Sequence, residues 1–183
     1  YNKSHDELIL CPAKNAVFAT NKTFTMPDSV HKVHPYAFQW ADLTGIVFSN
    51  NVTDLEIGEY AFSGSSLDGT LTLPANRIGS IGSYAFSDCL GLDGVVLSTS
   101  GIEYGANFFV GCSSLSSMTL PFDMRYVTAG GEPILGASLP VTTYTFAGQG
   151  DLGVNVNEYF KTNNSKLPWY HESGLISISL IFS

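Results

Sequence analysis

The sequence predicts a β-rich α/β solenoid, built of short parallel strands and closed by irregular end caps. Three observations predict it. Phe38, Phe62, Phe86 and Phe109 fall 24, 24 and 23 residues apart. Leu43, Leu67, Leu92 and Leu115 each follow one of these rings by five or six residues. Between them, short apolar alternations are interrupted by Gly and Pro at a recurring phase. Self-similarity at such a period is the mark of stacked repeats, in which each unit contacts only its neighbours.

Residues 1–22 fit the period poorly. They carry the mixed-charge patch His5, Asp6, Glu7 and an irregular apolar set, Leu8, Ile9, Leu10, Val17 and Phe18. An end coil must cover apolar surface that would otherwise face water, so this segment reads as an N-terminal cap. Its charges read as a solvated terminus.

Residues 23–121 hold the repeats. The first has a strand pattern at Phe24, Thr25 and Met26, a break at Pro27, then Val30, Val33 and Tyr36-Ala37-Phe38. The second runs through Leu43, Ile46, Phe48, Val52, Leu55 and Ile57 to Tyr60-Ala61-Phe62. The third has Leu67, Leu71, Leu73, Pro74, Ile78 and Ile81 before Tyr84-Ala85-Phe86. The fourth has Leu92, Val95, Leu97, Ile102 and Phe108-Phe109. A fifth opens with Leu115, Met118, Leu120 and Pro121, and the pattern then decays.

Met118 and Leu120 alternate with Thr119, the period-two sign of a strand with one buried face. Pro27, Pro74 and Pro121 remove a backbone donor and end such strands. The Ile78-x-x-Ile81 piece is too short and Gly-rich for a helix and predicts a second extended segment across the coil. Tyr84-Ala85-Phe86 then turns the chain and sends its Phe inward. Alanine suits a crowded turn at positions 37, 61 and 85. Phe108 stands in that place in the fourth coil, which predicts a coil locally wider or rotated.

The stretch RIGSIGSYAFSDCLGLDGVVL, preceded by NVTDLEIGEYAFSGSSLDGTLTLP and followed by FFVGCSSLSSMTLP, resembles the BspA-like (Treponema-type) leucine-rich repeats. The resemblance covers about residues 23–121. It implies a right-handed leucine-rich-repeat horseshoe. It also implies export, to the cell surface, the periplasm or the medium, with protein binding or adhesion to host or matrix proteins as the expected role. The chain departs from the pattern at Ser65, which replaces a cysteine, at Phe108, and at Gln39-Trp40-Ala41.

Residues 122–183 read as a degenerate repeat and C-terminal cap of the same single domain. A strand is expected over 141–146, a short helix over 157–161, a Trp-containing turn over 167–170 and a last strand over 176–182.

Composition narrows the function. The chain has 183 residues, 44% hydrophobic and 13% charged, with net charge −8. That describes a folded chain. Eight Lys and Arg make no basic stripe, so nucleic acid is not an expected partner. No apolar run approaches the ~20 residues of a membrane helix. The chain opens at Tyr1 without a signal-like segment and reads as a mature or trimmed form. Three cysteines make no disulfide framework. Cys89 and Cys112 share a phase and read as small buried residues stacked on neighbouring coils.

No catalytic residue, metal or cofactor is expected. Gly148-x-Gly150-x-x-Gly153 matches a dinucleotide pattern, but Val154-Asn155-Val156 follows it with strand character where a phosphate-binding helix should begin. His31-x-x-His34 reads as a surface pair without a third ligand. Asp68-Gly69 and Asp93-Gly94 recur as a repeat-specific turn or strand start. Sequons at Asn2, Asn21, Asn51 and Asn163 bear on function only where the host glycosylates them.

Two surfaces are candidates for binding. Thr44, Val47, Thr72, Val96, Ser116 and Thr119 are expected to face outward from the strands and form a flat, nearly uncharged face for a protein partner. Ile176, Ile178, Leu180, Ile181 and Phe182 make the last strand apolar on both sides. Such a strand either caps the core or pairs with a second copy, making a homo-oligomer.

Overall fold

The computed structural model describes residues 1–11, 22–49, 51–74, 78–97, 103–121, 128–129, 132–133, 139–148 and 177–182. The expected helix over 157–161, the Trp-containing turn, Ile102, Ile176, the strand pattern at 154–156 and the sequons at Asn21 and Asn163 lie outside these residues, as does most of the Gly-rich motif at 148–153.

The apolar alternations form strands on two sides of each coil. On one side β1 (Glu7–Leu8), β3 (Lys32–Val33), β5 (Leu55–Ile57), β7 (Ile78–Ile81) and β9 (Glu103–Tyr104) stack as a parallel back sheet. Leu8, Val33, Ile57, Ile81 and Tyr104 share its inward register column. Glu7, Lys32, Glu56, Ser80 and Glu103 share the outward one. On the other side β6 (Asp68–Thr72), β8 (Gly91–Val96), β10 (Ser117–Pro121), β13 (Thr143–Gly148) and β14 (Ser177–Phe182) form a parallel front sheet. A shorter parallel pair, β2 (Thr23–Thr25) and β4 (Gly45–Val47), adjoins it. The Asp68 N–H bridges the two, donating to the Thr44 carbonyl at 3.0 Å. A two-stranded antiparallel ribbon, β11 (Thr128–Ala129) with β12 (Glu132–Pro133), follows β10.

Between the sheets runs a column of rings. Phe38, Phe62, Phe86 and Phe109 are fully buried. Phe38 stacks on Phe62 at 4.9 Å and 8°, and Phe62 on Phe86 at 5.1 Å and 2°. Parallel stacked pairs of this kind add ~0.5–1.5 kcal/mol beyond their area burial. Leu43, Leu67, Leu92 and Leu115 are buried beside them. This confirms the phase assigned from the sequence.

The chain leaves the back sheet through a tight turn whose backbone bonds alternate in direction. Ala37, Gln39 and Ala41 donate to the carbonyl three residues back. Tyr36, Phe38 and Trp40 donate to Glu59, Ala61 and Ser63 of the next coil, at 3.0, 2.7 and 2.9 Å. Tyr60, Phe62 and Gly64 repeat this toward the third coil, and Tyr84, Phe86 and Asp88 toward the fourth. The alternation needs left-handed residues. Tyr36, Tyr60, Tyr84 and Asn107 have φ of 63°, 53°, 58° and 57°, and Trp40, Gly64, Asp88 and Gly111 have 56°, 66°, 56° and 81°. Left-handed residues four apart cannot belong to a helix. Among the described residues there is no helix, so the α part of the expected α/β class finds no support and the described coils are a parallel β-solenoid of about four turns.

Phe108 keeps the backbone in register: the Phe86 N–H donates to its carbonyl at 2.9 Å, as Phe62 does to Ala85. The extra ring is absorbed by side chains. It is fully buried, 5.8 Å from Tyr104 and 4.7 Å from Phe109, and Phe109 tilts 25° off Phe86. The fourth coil is therefore rotated at its rings rather than in its chain.

The first residues are more regular than their sequence suggests. Glu7 and Leu8 form the first rung of the back sheet, and the Cys11 N–H donates to Ala37 where a preceding coil would donate. His5 is exposed, and Asp6 and Glu7, with side chains 37% and 38% exposed, lie 3.9 and 2.9 Å from His31 and His34 while remaining open to solvent. Asp68 and Asp93 also differ from expectation. A register shift pairs Gly69 with Leu92 but Thr70 with Gly94, leaving Asp93 as the extra residue of a bulge. The two acids are one step out of phase.

Cys89 and Cys112 are buried and unbridged. Each thiol donates to a phenylalanine carbonyl of the preceding coil, Cys89 to Phe62 and Cys112 to Phe86, both at 3.2 Å. The residue is chosen for its weak donor as well as its size. Ser65 stands one coil earlier in the same column, 3.4 Å from the Cys89 sulfur.

Candidate interaction surface

The front sheet turns its alternate residues outward in two register columns. One holds Thr70, Gly94, Ser117 and Thr143, the other Thr72, Val96, Thr119 and Thr145; Ser177 and Ser179 take the next register positions on β14. Between them Leu71, Val95 and Met118 point to the core and are buried. Thr70, Thr72 and Ser117 are exposed, and Val96, Thr119, Thr143 and Thr145 half-buried. The face is uncharged across its strands. Its acids, Asp68 and Asp93, stand where the strands begin or bulge, and Thr70 Oγ1 donates to Asp93 at 3.3 Å.

Of the outward residues read from the sequence, Thr72, Val96 and Thr119 come together in one column. Val47, half exposed, pairs with Thr25 in the shorter ribbon. Thr44 and Ser116 stand one residue before their strands, where their carbonyls hold the next coil: Thr44 accepts from the Asp68 N–H and Ser116 from the Thr142 N–H, both at 3.0 Å. The second column was missed. Its signal is a repeated Thr/Ser-x-Thr pattern at 70–72, 117–119 and 143–145. Ile178 and Leu180 occupy the register positions of Met118 and Leu120 two rungs on, and Ile181 that of Pro121.

The turn column presents aromatic edges. Tyr36, Tyr60 and Tyr84 stack at 5.4 and 4.8 Å with 6° between planes. Trp40 is 63% exposed and covers Gly64, where an added Cβ would lie 2.3 Å from its ring.

The outward column of the back sheet is the charged one. Lys32 Nζ meets Glu56 at 2.8 Å, and this hydrogen bond and charge hold the lysine above its ordinary pKa. His34 Nε2 lies 2.9 Å from Glu7, and His31 Nε2 3.9 Å from Asp6. The histidines thus face separate carboxylates, and among the described residues no three His, Cys, Asp or Glu gather as metal ligands. No helix among them is long and apolar enough to cross a membrane.

Residues 31–130 match the family model described as the BspA type leucine rich repeat region, in six copies. The chain belongs to the BspA-type leucine-rich repeat family. A BspA-type chain of this kind is similar in fold to a leucine-rich repeat protein from Bacteroides ovatus ATCC 8483, with 13% identity and a TM-score of 0.52 over 94% of this chain. A leucine rich cell surface protein from Faecalibacterium prausnitzii A2-165 aligns at 17% identity with a TM-score of 0.41 over 88% of the chain. The chain spans 57% and 60% of the lengths of these two. No curated protein matches it.

Proposed function

We propose that this BspA-type chain is a non-enzymatic, exported module that binds a protein partner through the outer face of its front sheet. The right-handed horseshoe implied by the family belongs to this reading, as does adhesion to a host or matrix protein at the cell surface. The observation that carries it is the pair of outward columns on one rigid sheet: small, uncharged side chains, fixed in register by the strands. Such a face recognises shape and backbone rather than charge. Family membership supports protein interaction as its use.

The test is capture of the purified chain on surfaces coated with fibronectin, laminin or collagen, beside the Thr72→Arg/Thr119→Arg variant. Binding to one of them that the variant loses, with melting unchanged, supports the reading. Binding to none, or binding that survives both arginines, overturns it.

A second reading is self-association through Ile176, Ile178, Leu180, Ile181 and Phe182. It is favoured by the position of β14 as the outermost rung of the front sheet among the described residues. Light scattering decides it, because a strict monomer at high concentration sinks the idea.

A further inference from the structure

Gly58, Gly82 and Gly105 follow one another in the back sheet's exit position on three successive coils. Each lies so close to the coil before it that a side chain has no room. An added Cβ would stand 2.5 Å from the Pro35 nitrogen, 2.5 Å from the Glu59 nitrogen and 2.2 Å from the Ser83 nitrogen respectively. The outer surface is therefore bare backbone along this line. Side chains rise on both sides of it, Glu56, Ser80 and Glu103 on one and Pro35, Glu59 and Ser83 on the other. The result is an open trench of about 470 Å³ crossing the coils, with Tyr104 toward one end.

Its charge is unbalanced. Lys32 is matched by Glu56. Glu59 and Glu103 are exposed, and among the described residues neither has a cationic partner. They stand on different coils and on opposite sides of the glycine line, so they do not converge on a single ion. The trench offers a side-chain-free floor to a polypeptide backbone and two separated anchor points to basic side chains.

We propose that this trench docks an extended, basic segment of a partner protein, with the segment's backbone over the glycines and its lysine or arginine side chains on Glu59 and Glu103. This surface is separate from the front face, and the proposal does not depend on that reading. Charge pairs at such a rim set the salt dependence and on-rate of binding.

The experiment is fluorescence anisotropy of the purified chain with a labelled, end-capped octapeptide of alternating glycine and arginine. The alternating glycine and glutamate peptide is the comparison. Only the basic peptide should bind, more weakly as salt rises. The Glu59→Gln/Glu103→Gln variant should weaken it about tenfold or more, the scale of one lost charged contact. Asp42→Asn/Asp68→Asn makes the same change in net charge away from the trench and should leave binding unchanged. Thr72→Arg/Thr119→Arg, which disables the front face, should also leave it unchanged. The proposal is overturned if both peptides bind alike, if the Asp42/Asp68 variant weakens binding as much as the trench variant, or if the trench glutamates prove to hold a second copy of the chain, seen as a dimer that their substitution dissolves.

Discussion

The Cys112 thiol donates to the Phe86 carbonyl of the preceding coil at 3.2 Å. The Phe86 ring at the same time stacks between Phe62 and Phe109. One residue thus joins the aromatic column to the polar column beside it. Cys89 repeats the arrangement with Phe62, whose carbonyl also accepts the Ser65 N–H at 3.0 Å. A buried donor–acceptor pair of this kind contributes a net ~0.5–1.5 kcal/mol. Cys89→Ser keeps a donor and Cys89→Ala does not. Chemical denaturation should therefore show Cys89→Ala as the more destabilising of the two, by about 1 kcal/mol. Equal losses would mean that only volume counts at this position.

The thiols should also be silent toward an aromatic disulfide reagent in the native state, since all three are buried. The neighbouring Cys89 thiol, followed by burial, raises the Cys112 thiol above its ordinary pKa, and thiolate is the reactive form. Labelling should appear only with unfolding. Rapid native labelling of Cys112 would contradict the packing described.

Phe86 and Tyr84 differ by two residues and one face. Phe86 is fully enclosed, whereas Tyr84 is half-buried and held at φ 58°. Phe86→Ala should cost ~3–5 kcal/mol. Tyr84→Ala should cost less, since it loses one stacked neighbour and part of its area. Urea melts of the two variants would read the difference. Equal, small effects would place the ring column elsewhere.

Gly82→Ala tests the close approach of coils. The added methyl would stand 2.5 Å from a backbone nitrogen, an atom that cannot swing away. The coils must separate locally, at a cost of ~1–3 kcal/mol as for other overpacked sites. The same measurement on Ser80→Ala, two residues earlier and half-exposed, gives the reference. No loss at Gly82 would show the coils to be further apart.

Acid should weaken the fold in a definable window. Hydrogen bonds from Asn2 and Ser4 hold the Asp6 carboxyl below its ordinary value, and bonds from Ser49 and Asn51 do the same for Asp28. A carboxylate with a lowered folded pKa adds stability above its unfolded pKa and loses it as pH falls through the folded one. The melting temperature should therefore fall below about pH 4. Asp6→Asn/Asp28→Asn should flatten that fall and leave the alkaline side unchanged.

The ring column and both sets of strands could be read directly from residue spacing, because each depends on apolar side chains that recur at a fixed interval. Phe86, Leu92, Ile78 and Ile81 all stand where their phase puts them. What spacing could not reveal was backbone chemistry. Tyr36, Tyr60 and Tyr84 are left-handed, a conformation that their residue type disfavours. The stack they form and the bonds they direct to the next coil sustain it. Cys89 looked like a filler because its donor role depends on a carbonyl 27 residues earlier. The bulge at Asp93 was hidden because a single added residue barely changes a repeat length. Of the binding surface, one outward column was legible from alternation. The second is less legible although Thr70 and Ser117 repeat its pattern, and Thr44 and Ser116, half-buried and exposed, stand one residue ahead of the columns with carbonyls that accept from the next coil.

The turn column runs in one sense only. At every step between the first four turns, amides of the earlier turn donate and carbonyls of the later one accept. Peptide dipoles aligned this way add, as they do along a helix axis. The stack is therefore a polar object, with its amide ends aimed toward the C-terminal coils and its carbonyls toward the N-terminal ones. Two such stacks meeting at like ends would oppose matching partial charges, so end-to-end contact between them favours the head-to-tail order, the order in which the coils of a single chain already follow one another.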